Sequence, residues 1–186
     1  FYLERREEYN NSKLSVNKSA LLIFLNKTGF NGMYRENSKG EYNIPFGDMN
    51  NPLICNSELI LNISNILNNN DVEFSSKSFE NILINKKNIF YYLDPPYRPI
   101  SKTSDFTSYT KNKFDDELQF KLKKYCDKIN EKDNFLMQSN SFSEDNFFQK
   151  LYSEMNIKKI YASRSISADG SKRGKAKEIV ITNYGS

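Results

Sequence analysis

The sequence predicts an α/β fold, and three observations carry that expectation. Short apolar runs rich in β-branched and aromatic residues alternate with amphipathic stretches of helical spacing. One of those runs, Ile89 to Leu93, is stopped by Asp94-Pro95-Pro96-Tyr97, because two prolines remove two backbone donors and fix φ. A length of 186 residues suits one domain, or one domain with a small appendage.

Composition narrows the classes. Hydrophobic residues make up 38%, but 14 Phe and 12 Tyr are enough to build a core. No apolar run is long enough to span a bilayer, and Phe1-Tyr2-Leu3-Glu4-Arg5 is no signal peptide, so no membrane partner is expected. Cys55 and Cys126 form no framework, which points to a reducing cytoplasm. With no histidine, His-dependent triads and His-ligated metal sites are excluded. A net charge of +4 permits a polyanion as partner.

In chain order, Phe1 to Tyr9 has helical spacing. Asn17 to Lys27 is a second helix, with Asn17 as its cap, Leu21, Leu22 and Leu25 among its apolar positions and Gly29 as its stop. Residues 29–47 read as a hairpin, or a loop with a hairpin core, turning at Asn37-Ser38-Lys39-Gly40. Its flanks alternate poorly, so neither face is expected to be well buried. They carry Asn31, Met33, Arg35, Asn37 and Asn43. Arginine pairs with guanine, asparagine with adenine, and an apolar side chain such as Met33 can wedge a base step. A solvated polar loop is the competing reading. Ser57 to Leu67 is an amphipathic helix ended by Asn68 to Asp71. Val72-Glu73-Phe74 is a short strand, and Phe79 to Leu83 a brief helix.

Ile89 to Leu93 is read as a buried strand, and the four residues after it carry the chemistry. At the carboxyl end of such a strand, where open α/β sheets bind ligands, stand a carboxylate, a rigid bend and an aromatic ring. Asp94 can accept one N–H of an amino group, and the Pro95 carbonyl can accept the other. Tyr97 can stack on the ring that bears it. The bland alternative is a Pro-Pro turn with an exposed tyrosine. The Ser/Thr-rich segment from Arg98 to Asn112, with Phe106 and Tyr109, is either a functional lid or a flexible connection. Phe114 to Ile129 is a helix with Leu118, Leu122, Tyr125 and Ile129 inward. Phe135 to Ser139 is a strand, and Ser143 caps a helix reaching about Met155. The last strands are Ile157 to Ala162 and Glu178 to Asn183. From Lys158 to Lys177 there are seven basic residues, Arg164, Lys172 and Arg173 among them, against the single acid Asp169. They suit phosphate contacts or a solvated loop.

Six segments in this order resemble the Dam-type (D12 class) adenine-N6 DNA methyltransferases. They are Phe1 to Asn10, Leu25 to Gly47, Tyr92 to Tyr97, Phe106 to Tyr109, Arg164 to Ser167 and Glu178 to Tyr184. The resemblance implies a Rossmann-like sheet that uses S-adenosylmethionine, with a small helical and β-hairpin DNA-recognition subdomain. Residues 1–75 would be that subdomain and 76–186 the catalytic part. It implies methyl transfer to N6 of an adenine flipped out of double-stranded DNA, with GATC as the first candidate site. Asp94, Pro95, Pro96 and Tyr97 would be catalytic, with Asp94 also at the cofactor. Asn31, Met33, Arg35, Asn37, Asn43, Pro45, Arg164, Lys172 and Arg173 would touch DNA. Methylation at cytosine C5 is disfavoured, because it needs a thiolate nucleophile and neither cysteine lies beside Asp94 in the sequence.

Two departures stand beside the resemblance. The family's Phe-x-Gly-x-Gly cofactor loop and the acidic residue after it are absent from this sequence. The expectation is therefore an incomplete sheet with an exposed edge open to self-association. The alternative function is that of an inactive DNA-binding fragment of such an enzyme. Asp48 stands where relatives tend to carry a basic residue.

Overall fold

The structure, a computed structural model, describes residues 1–99, 114–163 and 175–185. The chain divides into two units, Phe1–Ser75 and Ser76–Ser186.

In the first unit, α1 (Tyr2–Asn11) and α2 (Val16–Thr28) carry a small aromatic core. Ser15, not Asn17, caps α2: its backbone is extended, so its Oγ reaches the Lys18 N–H at 3.2 Å. Asn17 already lies inside the helix and donates to Glu8 at 3.3 Å. Gly29 ends α2, its N–H bonding Leu25 O at 2.7 Å. A Cβ on Gly29 would come within 2.6 Å of that same oxygen, so the close approach itself requires glycine.

The segment from Gly29 to Gly47 folds back on itself with only isolated bridges, Gly29 to Phe46 and Glu36 to Tyr42. Phe30 N bonds Pro45 O and Gly47 N bonds Thr28 O at its base, both at 2.9 Å, and Asn43 N bonds Arg35 O at 3.1 Å nearer the tip. One flank is better buried than its poor alternation suggests. Tyr42 and Ile44 are 1% and 2% exposed and pack with Tyr2 and Leu25. Hydrogen bonds hold this flank as well. Tyr2 OH donates to Ile44 O at 3.1 Å, and Asn10 bonds both backbone groups of Tyr42.

Helix α3 (Ser57–Asn69) is capped by Asn56, whose Oδ1 accepts from Leu59 N at 3.1 Å. None of its residues is buried. The expected strand at Val72-Glu73-Phe74 is absent. Those residues find no partner strand among the described residues, and a strand without a ladder has no hydrogen bonds to hold it.

The second unit is built on a four-stranded sheet in the order β1-β2-β4-β3. Its strands are β1 (Phe90–Leu93), β2 (Phe135–Ser141), β3 (Asn156–Ser163) and β4 (Lys175–Thr182). β1 and β2 are parallel; β2–β4 and β4–β3 are antiparallel. Helix α4 (Asp116–Glu131) and the short α5 (Phe147–Leu151) cover one face. Leu122, Cys126 and Ile129 from α4 pack there on Leu136, Ile179 and Ile181.

The remaining differences from expectation have local causes. The helix expected from Ser143 to about Met155 shrinks to five residues, because Asn146 takes a left-handed φ of 56° ahead of it. The brief helix near Phe79 is a 3₁₀ turn, Phe79–Asn81, whose Phe79 packs edge-on against Tyr125. Lys158, Lys159, Lys175 and Lys177 lie on β3 and β4 rather than in a loop. β1 is an edge strand, not a buried one. Tyr91 and Leu93 pack on the core, while Phe90 and Tyr92 are 54% and 58% exposed on the opposite face.

Candidate active site

β1 ends at Leu93, and the next residues leave the ladder because Pro95 and Pro96 have no N–H to donate. Asp94 follows Leu93, and its Oδ1 accepts from the Ser139 hydroxyl on β2 at 2.7 Å. The Tyr97 hydroxyl donates to Glu178 Oε2 on β4 at 3.3 Å. In the register, Ser139 faces Val180 and Glu178 faces Ser141, so both belong to the face opposite the helices. Among the described residues, Asp94 Oδ2 and the Pro95 carbonyl have no hydrogen-bond partner. The Tyr97 phenol is held above the usual tyrosine range, first by burial, while Ser139 works the other way and the Glu178 and Asp94 carboxylates add to the rise.

The exit from the motif is fastened separately. Arg98 N donates to Asn140 Oδ1 at 3.0 Å, and Ser141 Oγ donates to Arg98 O at 2.6 Å. The Arg98 guanidinium grips both carboxylate oxygens of Asp116, at 2.7 and 3.1 Å, and reaches Asp145 at 2.7 Å. It also lies 4.1 Å from the centre of the Phe147 ring. A two-pronged Arg–carboxylate pair with a stacked ring is a stiff arrangement. The Asp145 carboxyl is lowered to about 2, first by the Ser143 hydroxyl beside it and then by Arg98. Ser143 Oγ falls outside hydrogen-bond geometry, so Arg98 is the firm partner.

In the first unit, Arg35 projects from the folded-back segment with its Nε donating to Asn43 Oδ1 at 2.8 Å. Asn37 is differently occupied. Its Oδ1 accepts from Lys39 N and Glu41 N, and its Nδ2 donates to Glu41, so its amide shapes the turn. Asn31 is exposed with a left-handed φ of 54°. Met33 is half-buried against the Tyr42 cluster, and Pro45 is exposed. Arg164, Lys172, Arg173 and the Phe106 to Tyr109 segment lie outside the described residues.

Asp94 to Tyr97 were legible as a motif. Ser139, Asn140, Ser141, Arg98 and Glu178 were not singled out as site residues. The available signal was the polar run Gln138-Ser139-Asn140-Ser141 after the apolar start of the strand, Phe135 to Met137. Among the described residues, no cluster of carboxylate or thiol groups suits a metal ion.

The model of the D12 class N6 adenine-specific DNA methyltransferase family matches residues 1–166. This chain belongs to that family. The type II methyltransferase M.MjaIII of Methanocaldococcus jannaschii is 42% identical over 188 residues, which is 99% of this chain and 64% of the relative. The type II methyltransferase M1.LlaDCHI of Lactococcus lactis subsp. cremoris is 40% identical, over 100% of this chain and 66% of its own length. The DNA adenine methylase of Escherichia coli K12 is 30% identical, over 96% of this chain and 63% of its own length. The chain thus spans just under two thirds of the length of these relatives.

Proposed function

We propose that this chain provides the adenine-holding and DNA-reading parts of an enzyme that methylates N6 of adenine in double-stranded DNA, with S-adenosylmethionine as methyl donor. The observation that carries the proposal is the placement of Asp94. Its carboxylate stands at the end of β1 with Oδ1 tied to Ser139, and Oδ2 and the Pro95 carbonyl have no partner among the described residues. Two acceptors next to an aromatic ring suit an amino group on a planar base. Asp94 and Pro95 draw on its two hydrogens, which leaves the nitrogen lone pair freer to attack, and Tyr97 stacks on the base. The transfer is direct, with no covalent bond to the protein. Bringing the base out of the duplex costs roughly a few kcal/mol.

S-adenosylmethionine, when bound, supplies an electrophilic methyl group on a sulfonium. The donor carries an amino group and hydroxyls, so an acceptor such as Asp94 suits it. Asp94 is the residue of this chain we assign to it.

Residues 1–75 act as the recognition subdomain and 76–186 as the catalytic part of a Rossmann-like sheet. Arg35, Asn31, Met33, Asn43 and Pro45 meet the DNA, with Asn37 shaping the turn that carries them. Arg164, Lys172 and Arg173 contact phosphates. GATC, the site that the resemblance implies, is the first sequence to test. No helix among the described residues is long and apolar enough to cross a membrane. The exposed edge at β1 offers a surface for self-association. A second reading is DNA binding without catalysis, which the Arg35 side chain held by Asn43 would serve by itself.

Asp94→Ala in the full-length protein separates the two readings. Methylation of a GATC duplex is expected to vanish while the DNA dissociation constant stays within about threefold, since Asp94 makes no phosphate contact in this scheme. Methylation at the unaltered rate would remove Asp94 from the chemistry.

A further inference from the structure

Asp94 is exposed, and Tyr97 hangs from a segment outside the ladder, so neither side chain is held by packing alone. Polar partners on the neighbouring strands hold them instead. Ser139 on β2 donates to Asp94 Oδ1 at 2.7 Å. Glu178 on β4 accepts from the Tyr97 hydroxyl at 3.3 Å. Ser139 pairs with Val180 and Glu178 with Ser141, which makes Ser139 and Glu178 diagonal neighbours on one face. That face also carries Met137, Val180 and Ile160, with Ser141 opposite Glu178 and Lys158 opposite Val180. Ser139 is buried there, and a buried hydroxyl whose acceptor is Asp94 is well explained by what it holds.

We infer that Ser139 and Glu178 are positioning residues for methyl transfer, Ser139 orienting the Asp94 carboxylate and Glu178 anchoring the far end of the Tyr97 ring. This rests on the reading that Asp94 accepts the adenine amino group and Tyr97 stacks on its ring. With one carboxylate oxygen tied, rotation of Asp94 about its two side-chain bonds is checked, and Oδ2 keeps one direction. With the hydroxyl at its far end anchored, the Tyr97 ring cannot swing away from a stacked base. Reaction rates respond steeply to such placement, because a misplacement of roughly 1 Å can cost about a hundredfold.

The test uses the full-length protein with Ser139→Ala, Ser139→Thr, Glu178→Ala and Glu178→Gln, and Asp94→Ala as reference. Single-turnover methylation, DNA affinity, the fluorescence of 2-aminopurine at the target position and melting temperature are measured on each. Ser139→Ala is expected to slow the single-turnover rate about tenfold with DNA affinity within about twofold, and Ser139→Thr, which keeps the hydroxyl, to restore most of it. Glu178→Ala is expected to change the 2-aminopurine signal and lower the rate, while Glu178→Gln, which still accepts from the phenol, restores both. Unaltered rates in Ser139→Ala and Glu178→Ala, with Asp94→Ala inactive, would overturn the inference and leave the reading of Asp94 standing. An active Asp94→Ala would overturn that reading and the inference with it. Lost activity that tracks a lower melting temperature and is not restored by Ser139→Thr or Glu178→Gln would assign both residues to folding alone.

Discussion

Arg35 shows how a neighbour can orient a single side chain. Its Nε is tied to Asn43 at 2.8 Å, which fixes the plane of the guanidinium and leaves the terminal nitrogens at the fork. A fork held in plane suits two-pronged pairing with guanine O6 and N7. Arg35→Ala is expected to cost roughly 1–3 kcal/mol on the preferred duplex and little on others, which competition binding across single-base variants would reveal. An unchanged preference would take Arg35 out of recognition. Cys126 illustrates the opposite case. Burial pushes its thiol up to about 12, and it sits between Gln138 and Tyr152 in the core. A thiol held protonated is a poor nucleophile, which accords with direct transfer to nitrogen.

Two helices with similar sequence patterns end up in opposite surroundings. α3 and α4 both carry apolar stripes. Yet Ile63 on α3 is 47% exposed, and Ile129 on α4 is fully buried among Leu122, Cys126 and Leu136. Burial, not the stripe, sets what each residue contributes. Ile129→Ala is expected to destabilise by about 2–5 kcal/mol through lost burial and a cavity. Ile63→Lys is expected to change stability by less than about 0.5 kcal/mol. Chemical denaturation of both variants checks the contrast; a large loss from Ile63→Lys would mean that α3 is covered in solution. β1 shows the same limit. Its apolar run was legible as a strand, but only one side of it is covered.

For the molecule as a whole, the sheet of the second unit has, among the described residues, an unpaired edge at β1 and an exposed apolar face around Phe90 and Tyr92. Unpaired strand edges and contiguous apolar surface favour association. The 186-residue chain is expected to associate reversibly as its concentration rises, with Tyr92→Lys shifting it toward monomer. Sedimentation velocity over a dilution series would show this. A monomer at every concentration would mean that the edge is protected. The net charge of +4 is too small to prevent such contacts by itself.

Local chemistry was legible from the sequence alone. Two prolines after an apolar run dictate a strand that stops with a carboxylate and a ring beyond its end. Gly29 stops α2, and Asn37 to Gly40 turn the chain. These are short-range effects, decided by backbone donors, φ preference and hydrogen bonds within a few residues. What holds the motif was decided only in three dimensions. Ser139, Asn140, Arg98 and Glu178 reach it because β2 lies beside β1 and β4 beside β2, and no spacing in the sequence encodes that strand order. Tyr42 and Ile44 became core, and the apolar face of α3 did not, for the same reason. An apolar residue is buried only where another element arrives to cover it.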